Sequence, residues 1–69
     1  MTAMAQPKQR TLLSFLVAVR NTYDDMFCSQ PSDEAIDIAE EVFNGEDLED
    51  YREDLSAGEY DAIDLNLKY

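Results

Sequence analysis

Eleven carboxylates stand within twenty-two consecutive residues of this chain: Asp33, Glu34, Asp37, Glu40, Glu41, Glu46, Asp47, Glu49, Asp50, Glu53 and Asp54. Carboxylates at this density can move protons, ligate hard cations, or present a fixed negative surface. Proton transfer needs a partner group of suitable pKa held beside the acid. The chain has no histidine, and its one thiol, Cys28, has no base to activate it. The hydroxyls of Ser14, Ser29, Ser32 and Ser56 are in the same position. A glycosidase-type carboxylate pair needs a substrate cleft, which 69 residues can hardly fold around. Catalysis is therefore not expected.

Cation binding fares little better. A calcium loop places acidic or amide residues at alternate positions ahead of a glycine. Before Gly45 those positions hold Asn44, Val42 and Glu40, and before Gly58 stands Ala57. Cys28 has neither a histidine nor a second cysteine with which to share zinc. Loose divalent binding to the acids is expected, a dedicated metal site is not, and nothing calls for a cofactor.

The third option, a negative surface, is favoured by where the charge sits. Sixteen Asp and Glu against five Lys and Arg give a net charge of −11. Residues 1–32 hold three bases (Lys8, Arg10, Arg20) and two acids, a net +1. Residues 33–64 hold fourteen acids and one base, Arg52, a net −13, and Lys68 completes the total. Such asymmetry repels nucleic acid and anionic membrane and attracts basic surfaces. A solvated face is the ordinary meaning of a charge run. Solubility, however, needs only a few net charges, and self-repulsion within the block opposes folding. The acids also lack the lysines at i+4 that soluble helices interleave.

The elements that must position these acids can be read in order. Sixty-nine residues make one domain, and one this small buries only about 60% of its unfolded surface. A single cysteine gives no disulfide, but an apolar share of 45% is that of a folded protein. The expected organisation is a flexible leader at 1–10 and one acidic helical domain at 11–69, with a homodimer as one way to complete its core. Lys8 and Arg10 followed by Leu12–Val19 superficially resemble a signal peptide. The apolar stretch is short, Arg20 ends it, and no small-x-small cleavage site follows. It is also too short to span a bilayer, so the cytoplasm is the expected compartment.

Thr11 is a plausible N-cap for a helix running to about Phe27. Its face is Leu12, Leu16, Val19, Tyr23 and Met26, widened by Leu13, Phe15 and Val17. A helix this apolar belongs at the centre of the fold or in a dimer core. Ser32 caps a second helix over about 32–43, apolar at Ala35, Ile36, Ile38, Ala39, Val42 and Phe43 and ended by Asn44-Gly45. Leu48, Tyr51 and Leu55 anchor a third over about 46–55. In the last segment Ile63, Leu65, Leu67 and Tyr69 alternate with polar residues, which is a strand pattern. Against it, Ser56 and Glu59 form a capping-box signature, and Tyr60, Ile63 and Leu67 have helical spacing. A lone strand would also leave its backbone groups unpaired. The expectation is a short helix at about 57–66 with an extended tail. The fold class is all-α, three to four short helices packed on the apolar first one.

Five acids over eleven helical residues give one charge per ~3.3 Å of axis on the second helix. A DNA strand carries one phosphate per ~3.4 Å. A basic channel shaped for a duplex would meet the second and third helices as something like two strands. By its acidic block Asp33–Asp64, its size and the near-absence of Lys and Arg in that block, the chain resembles the small acidic DNA-mimic inhibitors of bacteriophages. Those proteins block restriction enzymes, CRISPR effector complexes, DNA gyrase or histone-like proteins. The resemblance is one of composition over about half of the chain, and the class has no shared motif to carry over. It implies an inhibitor in the host cytoplasm that occupies a basic DNA-binding surface, with gyrase the favoured target, and binds neither nucleic acid nor membrane itself. Ser32-Asp33 looks a little similar to the second-helix start of acyl carrier proteins, but their Asp-Ser-Leu motif and long first loop are missing. The other expectation is an acidic adaptor that binds a basic protein through an apolar groove, anchored by Tyr51, Tyr60 or Tyr69.

Overall fold

The structure, a computed structural model, describes residues 10–68, so the expectations for the leader at 1–9 and for Tyr69 lie outside the described residues. The order of elements is α1 (Leu12–Phe27), α2 (Asp33–Phe43), a 3-10 helix (Leu48–Asp54) and α3 (Ala57–Leu67). Among the described residues there is no strand. Among the described residues no helix is long and apolar enough to cross a membrane.

Each α-helix starts on the cap its sequence offered. The hydroxyl of Thr11 accepts from the Ser14 N–H at 3.1 Å, and that of Ser32 from the Ala35 N–H at 3.2 Å. In α3 the capping box closes both ways: Ser56 Oγ accepts from the Glu59 N–H at 3.2 Å, and Glu59 Oε1 from the Ser56 N–H at 3.0 Å. Satisfying two otherwise orphaned donors reciprocally is what tips residues 57–67 to helix over their alternating pattern. α1 stops at Cys28, which takes a left-handed backbone (φ 56°) and donates its N–H to the Asp24 carbonyl at 2.6 Å. The turn after α2 runs through Gly45 at φ 114°, a conformation that side chains disfavour.

The core consists of Phe15 and Val19 from α1, Ala35, Ile38, Ala39 and Val42 from α2, Leu48 and Leu55, and Ala62 and Ile63 from α3. No polar or charged residue is buried in it. α1 packs on both α2 and α3, while the 3-10 helix packs on α2 and α3. The buried line of α1 differs from the expected stripe. Phe15 and Val19, one turn apart, point inward, and the Phe15 ring lies 5.1 Å from that of Phe43. Leu12, Leu16 and Tyr23 are half-buried on the flank, and Met26 is exposed. An aromatic ring has the most apolar area to gain from burial, and the helix is turned so that Phe15 receives it.

The second departure is the third segment. An α-helix over 46–55 was expected, but Glu46 and Asp47 lie ahead of the helix, and residues 48–54 wind as 3-10. An α-helix here would stack Glu46 on Asp50, Glu49 on Glu53 and Asp50 on Asp54 at i, i+4, all like charges. The tighter 3-10 winding makes i and i+3 eclipse instead. It keeps Leu48 and Tyr51 together on the core side and brings Glu49 beside Arg52, the one opposite charge, but it also sets Asp50 beside Glu53, so like charges meet in either winding.

Candidate functional site

α2 is divided cleanly because its acidic and apolar residues follow one helical period. At 100° per residue Asp33, Glu34, Asp37, Glu40 and Glu41 fall within an arc of about 120°. Ala35, Ile38, Ala39 and Val42 fill the opposite side and are buried. All five acids are exposed, so they form one ridge rather than a fan. Asp33 and Glu34 lie in the first turn, where the positive helix end favours them.

The other six acids are exposed as well, but the structure gives them different roles. Asp47 is the N-cap of the 3-10 helix and accepts from the Glu49 N–H at 3.1 Å. Glu49 holds the Arg52 guanidinium at 3.1 Å and accepts from the Tyr60 hydroxyl at 3.4 Å. The guanidinium also lies 4.7 Å from the centre of the Tyr60 ring. The one base of the acidic block is thus held against α3. Asp50 and Glu53 share the outer side of the 3-10 helix. With about 2.0 Å of rise per residue, four acids in these seven residues give one charge per ~3.5 Å, still close to phosphate spacing.

The two acidic elements meet around Tyr51. Asp37, Glu40, Glu41, Asn44 and Glu46 line one open recess between the end of α2 and the loop after it. The Glu46 N–H donates to the Glu41 carbonyl at 3.1 Å, which fixes that loop on the helix. Partial burial of the Tyr51 phenol, and after it the charges of Glu41, Glu46, Asp50 and Asp54, raise its pKa above the ordinary 10.0. Burial and Glu49 raise the pKa of Tyr60 in the same way, Arg52 opposing. Glu41 and Glu46 therefore join the α2 ridge to the acids of the 3-10 helix, while Asp33 and Glu34 lie at the far end of the ridge. Elsewhere Asp64 pairs with Lys68 at 3.2 Å.

No family model, no curated protein and no solved structure matches the chain. What the surface can do follows from its own geometry. Among the described residues no three acids converge closely enough to hold a metal ion. The arrangement is a set of exposed acids on α2, the loop after it and the 3-10 helix, with an open recess lined by four carboxylates at the end of α2. Sequence reasoning missed one acid: Glu59 was legible as a helix cap, but its second partner, Ser32, lies 27 residues away. No local pattern announces a contact at that distance.

Proposed function

We propose that this chain is a non-catalytic inhibitor that binds the DNA-binding surface of a basic host protein, presenting carboxylates where that surface takes phosphates. The observation that supports it is the exposure of all eleven acids, with the α2 ridge and the 3-10 helix joined through Glu41 and Glu46. A surface built to receive closely spaced phosphates gains charge-assisted hydrogen bonds to such a face and gives up bound counterions, as it does on DNA. The proposed partner classes are DNA gyrase, a restriction or CRISPR nuclease, and a nucleoid protein, and the site of action is the host cytoplasm.

Competition is the test. Fluorescence anisotropy of a labelled duplex on the target should fall as the protein is added, and the protein alone should leave the duplex free. Target holding duplex and protein at once would rule mimicry out. Charge reversal then locates the surface. Asp37→Lys with Glu41→Lys removes four units of negative charge from the ridge, and Asp24→Lys with Asp25→Lys removes the same four from the end of α1. Desolvated charged contacts are worth about 2 kcal/mol or more each, so the ridge pair should cost ~10²-fold or more in inhibition. The α1 pair should cost little. Equal losses would indicate diffuse attraction by net charge.

The adaptor reading rests on a different surface. Tyr51 and Tyr60 are half-buried and packed on the core, and Tyr69 lies outside the described residues. In its favour are Leu13 and Val17, one turn apart on α1 and exposed at 71% and 42%. Alanine at both positions would abolish adaptor binding and leave mimicry intact.

A further inference from the structure

We infer that Glu59 is an ionisation-dependent clamp that ties the start of α2 to the start of α3, and that protonating this one side chain opens the junction. The inference does not depend on the proposed partner. Glu59 is the third residue of α3, half-buried, and both of its oxygens are occupied. Oε1 accepts from the Ser56 N–H at 3.0 Å; Oε2 accepts from the Ser32 N–H at 3.0 Å and the Ser32 hydroxyl at 3.1 Å. The donor accounting closes. Ser32 Oγ gives its proton to Glu59 while accepting from the Ala35 N–H, so it caps α2 and joins the clamp at once.

Three donors, two of them N-cap amides, face one carboxylate. Only the ionised form is acceptor throughout; a protonated acid carries a donor hydrogen among three donors, and the bonds it accepts lose their charge assistance. The positive ends of two helices add to the preference for charge. Nothing polar in the core holds α2 in place, because the core is entirely apolar. Among the described residues, the other side-chain hydrogen bonds between elements tie Asn66 of α3 to Thr22 of α1 and to Arg10 just ahead of α1, and Tyr60 of α3 to Glu49 of the 3-10 helix. Glu59 is the corresponding tie for α2.

Along the chain, the charged groups nearest the junction are Asp24 and Asp25 near the end of α1, Asp33 and Glu34 in α2, Arg52, Glu53 and Asp54 in the 3-10 helix, and Asp61 in α3. All are exposed, and Arg52 is held by Glu49. Burial would raise the pKa of Glu59, but the hydrogen bonds from Ser32 and Ser56 outweigh it and bring it below the ordinary 4.5. The clamp is therefore complete above 4.5 and is lost as pH falls through the lower, folded-state value.

Two measurements test the clamp. In Glu59→Gln the side chain keeps one acceptor oxygen and gains an NH2, so it can hold part of the clamp at most. Its melting temperature should lie below that of the unaltered protein at neutral pH, with the gap closing as the pH drops below 4.5. Equal melting temperatures at neutral pH, or a gap that persists in strong acid, would overturn the inference. The second measurement needs no variant. In an NMR pH titration of the unaltered protein, the Ser32 and Ser56 amide resonances should shift with the same midpoint as the Glu59 carboxyl carbon. A Ser32 amide that stays still, or that follows Asp33 instead, would show that no clamp exists.

Discussion

α1 has sixteen residues and places two of them, Phe15 and Val19, fully in the core; α2 has eleven and places four. Yet α1 is the more continuously apolar sequence. Leu13, Val17, Met26 and Phe27 remain exposed on it, whereas the exposed side of α2 is a row of acids. Burial follows partition rather than total hydrophobicity. α2 has one apolar side and one acidic side, so a single rotation about its axis satisfies every residue. α1 is apolar over most of its first two turns, so whichever line turns inward leaves apolar residues outside. The acids of α2 are therefore doubly determined, by their own solvation and by the core contacts opposite, and that fixes the ridge.

The largest effect that tests this contrast is within α1 itself. Phe15→Ala empties the middle of the core and should cost about 3–5 kcal/mol in urea unfolding, enough to leave a domain of this size largely unfolded. Leu13→Ala, two residues away on the outer side, should stay within about 0.5 kcal/mol. A large, concentration-dependent loss at Leu13 would mean that the outer face of α1 is buried in a dimer, and the contrast would fail. A middle-sized effect is expected at Gly58. A Cβ there would run into the Phe27 ring, so Gly58→Ala must push the ring aside and disturb its packing against Tyr23, 4.9 Å away. The Phe27 ring is exposed on one side and can turn away, and alanine gains helix propensity over glycine, so the expected cost is about 1 kcal/mol. Combining it with Phe27→Ala should remove most of the penalty beyond that of Phe27→Ala alone; a fully additive double variant would show that the clash lies elsewhere.

The smallest effect concerns the acidic half. Screening its −13 charge with moderate salt should raise the melting temperature. About 1 kcal/mol moves the midpoint of a domain this size by roughly 4–8 °C, so a rise of a few degrees is the expected scale. A melting temperature indifferent to salt would mean that the acidic half does not strain the fold.

How much of this was open to reading can be argued from single residues. Thr11, Ser32 and Ser56 start α1, α2 and α3, and each acts on an N–H three residues ahead. Asn44-Gly45 ends α2 where the turn chemistry requires it. The exposure of the ridge followed from helical period alone. Residues 48–54 wind as 3-10 although Leu48, Tyr51 and Leu55 have α-helical spacing, because the i, i+3 pair Leu48 and Tyr51 shares a face in either winding and the pattern does not separate the two. Leu12, Leu16 and Met26 were placed on the buried side of α1 because an all-round apolar helix gives no period to choose a side.

The sequence by itself determined what depends on residues within about one turn of each other: the three capped α-helices, the division of α2, and the concentration of charge after residue 32. Only the tertiary structure decided which side of α1 is buried, that the charges of Glu41, Glu46, Asp50 and Asp54 all act on the Tyr51 phenol, and that Glu59 reaches Ser32. It also decided that Arg10 reaches the Asn66 carbonyl across 56 residues. The reason is the range of the forces. A cap or a helical period acts between neighbours and is present in any short stretch of chain. A contact between distant residues exists only after the apolar sides of several helices have packed together, and the packing chooses the partner.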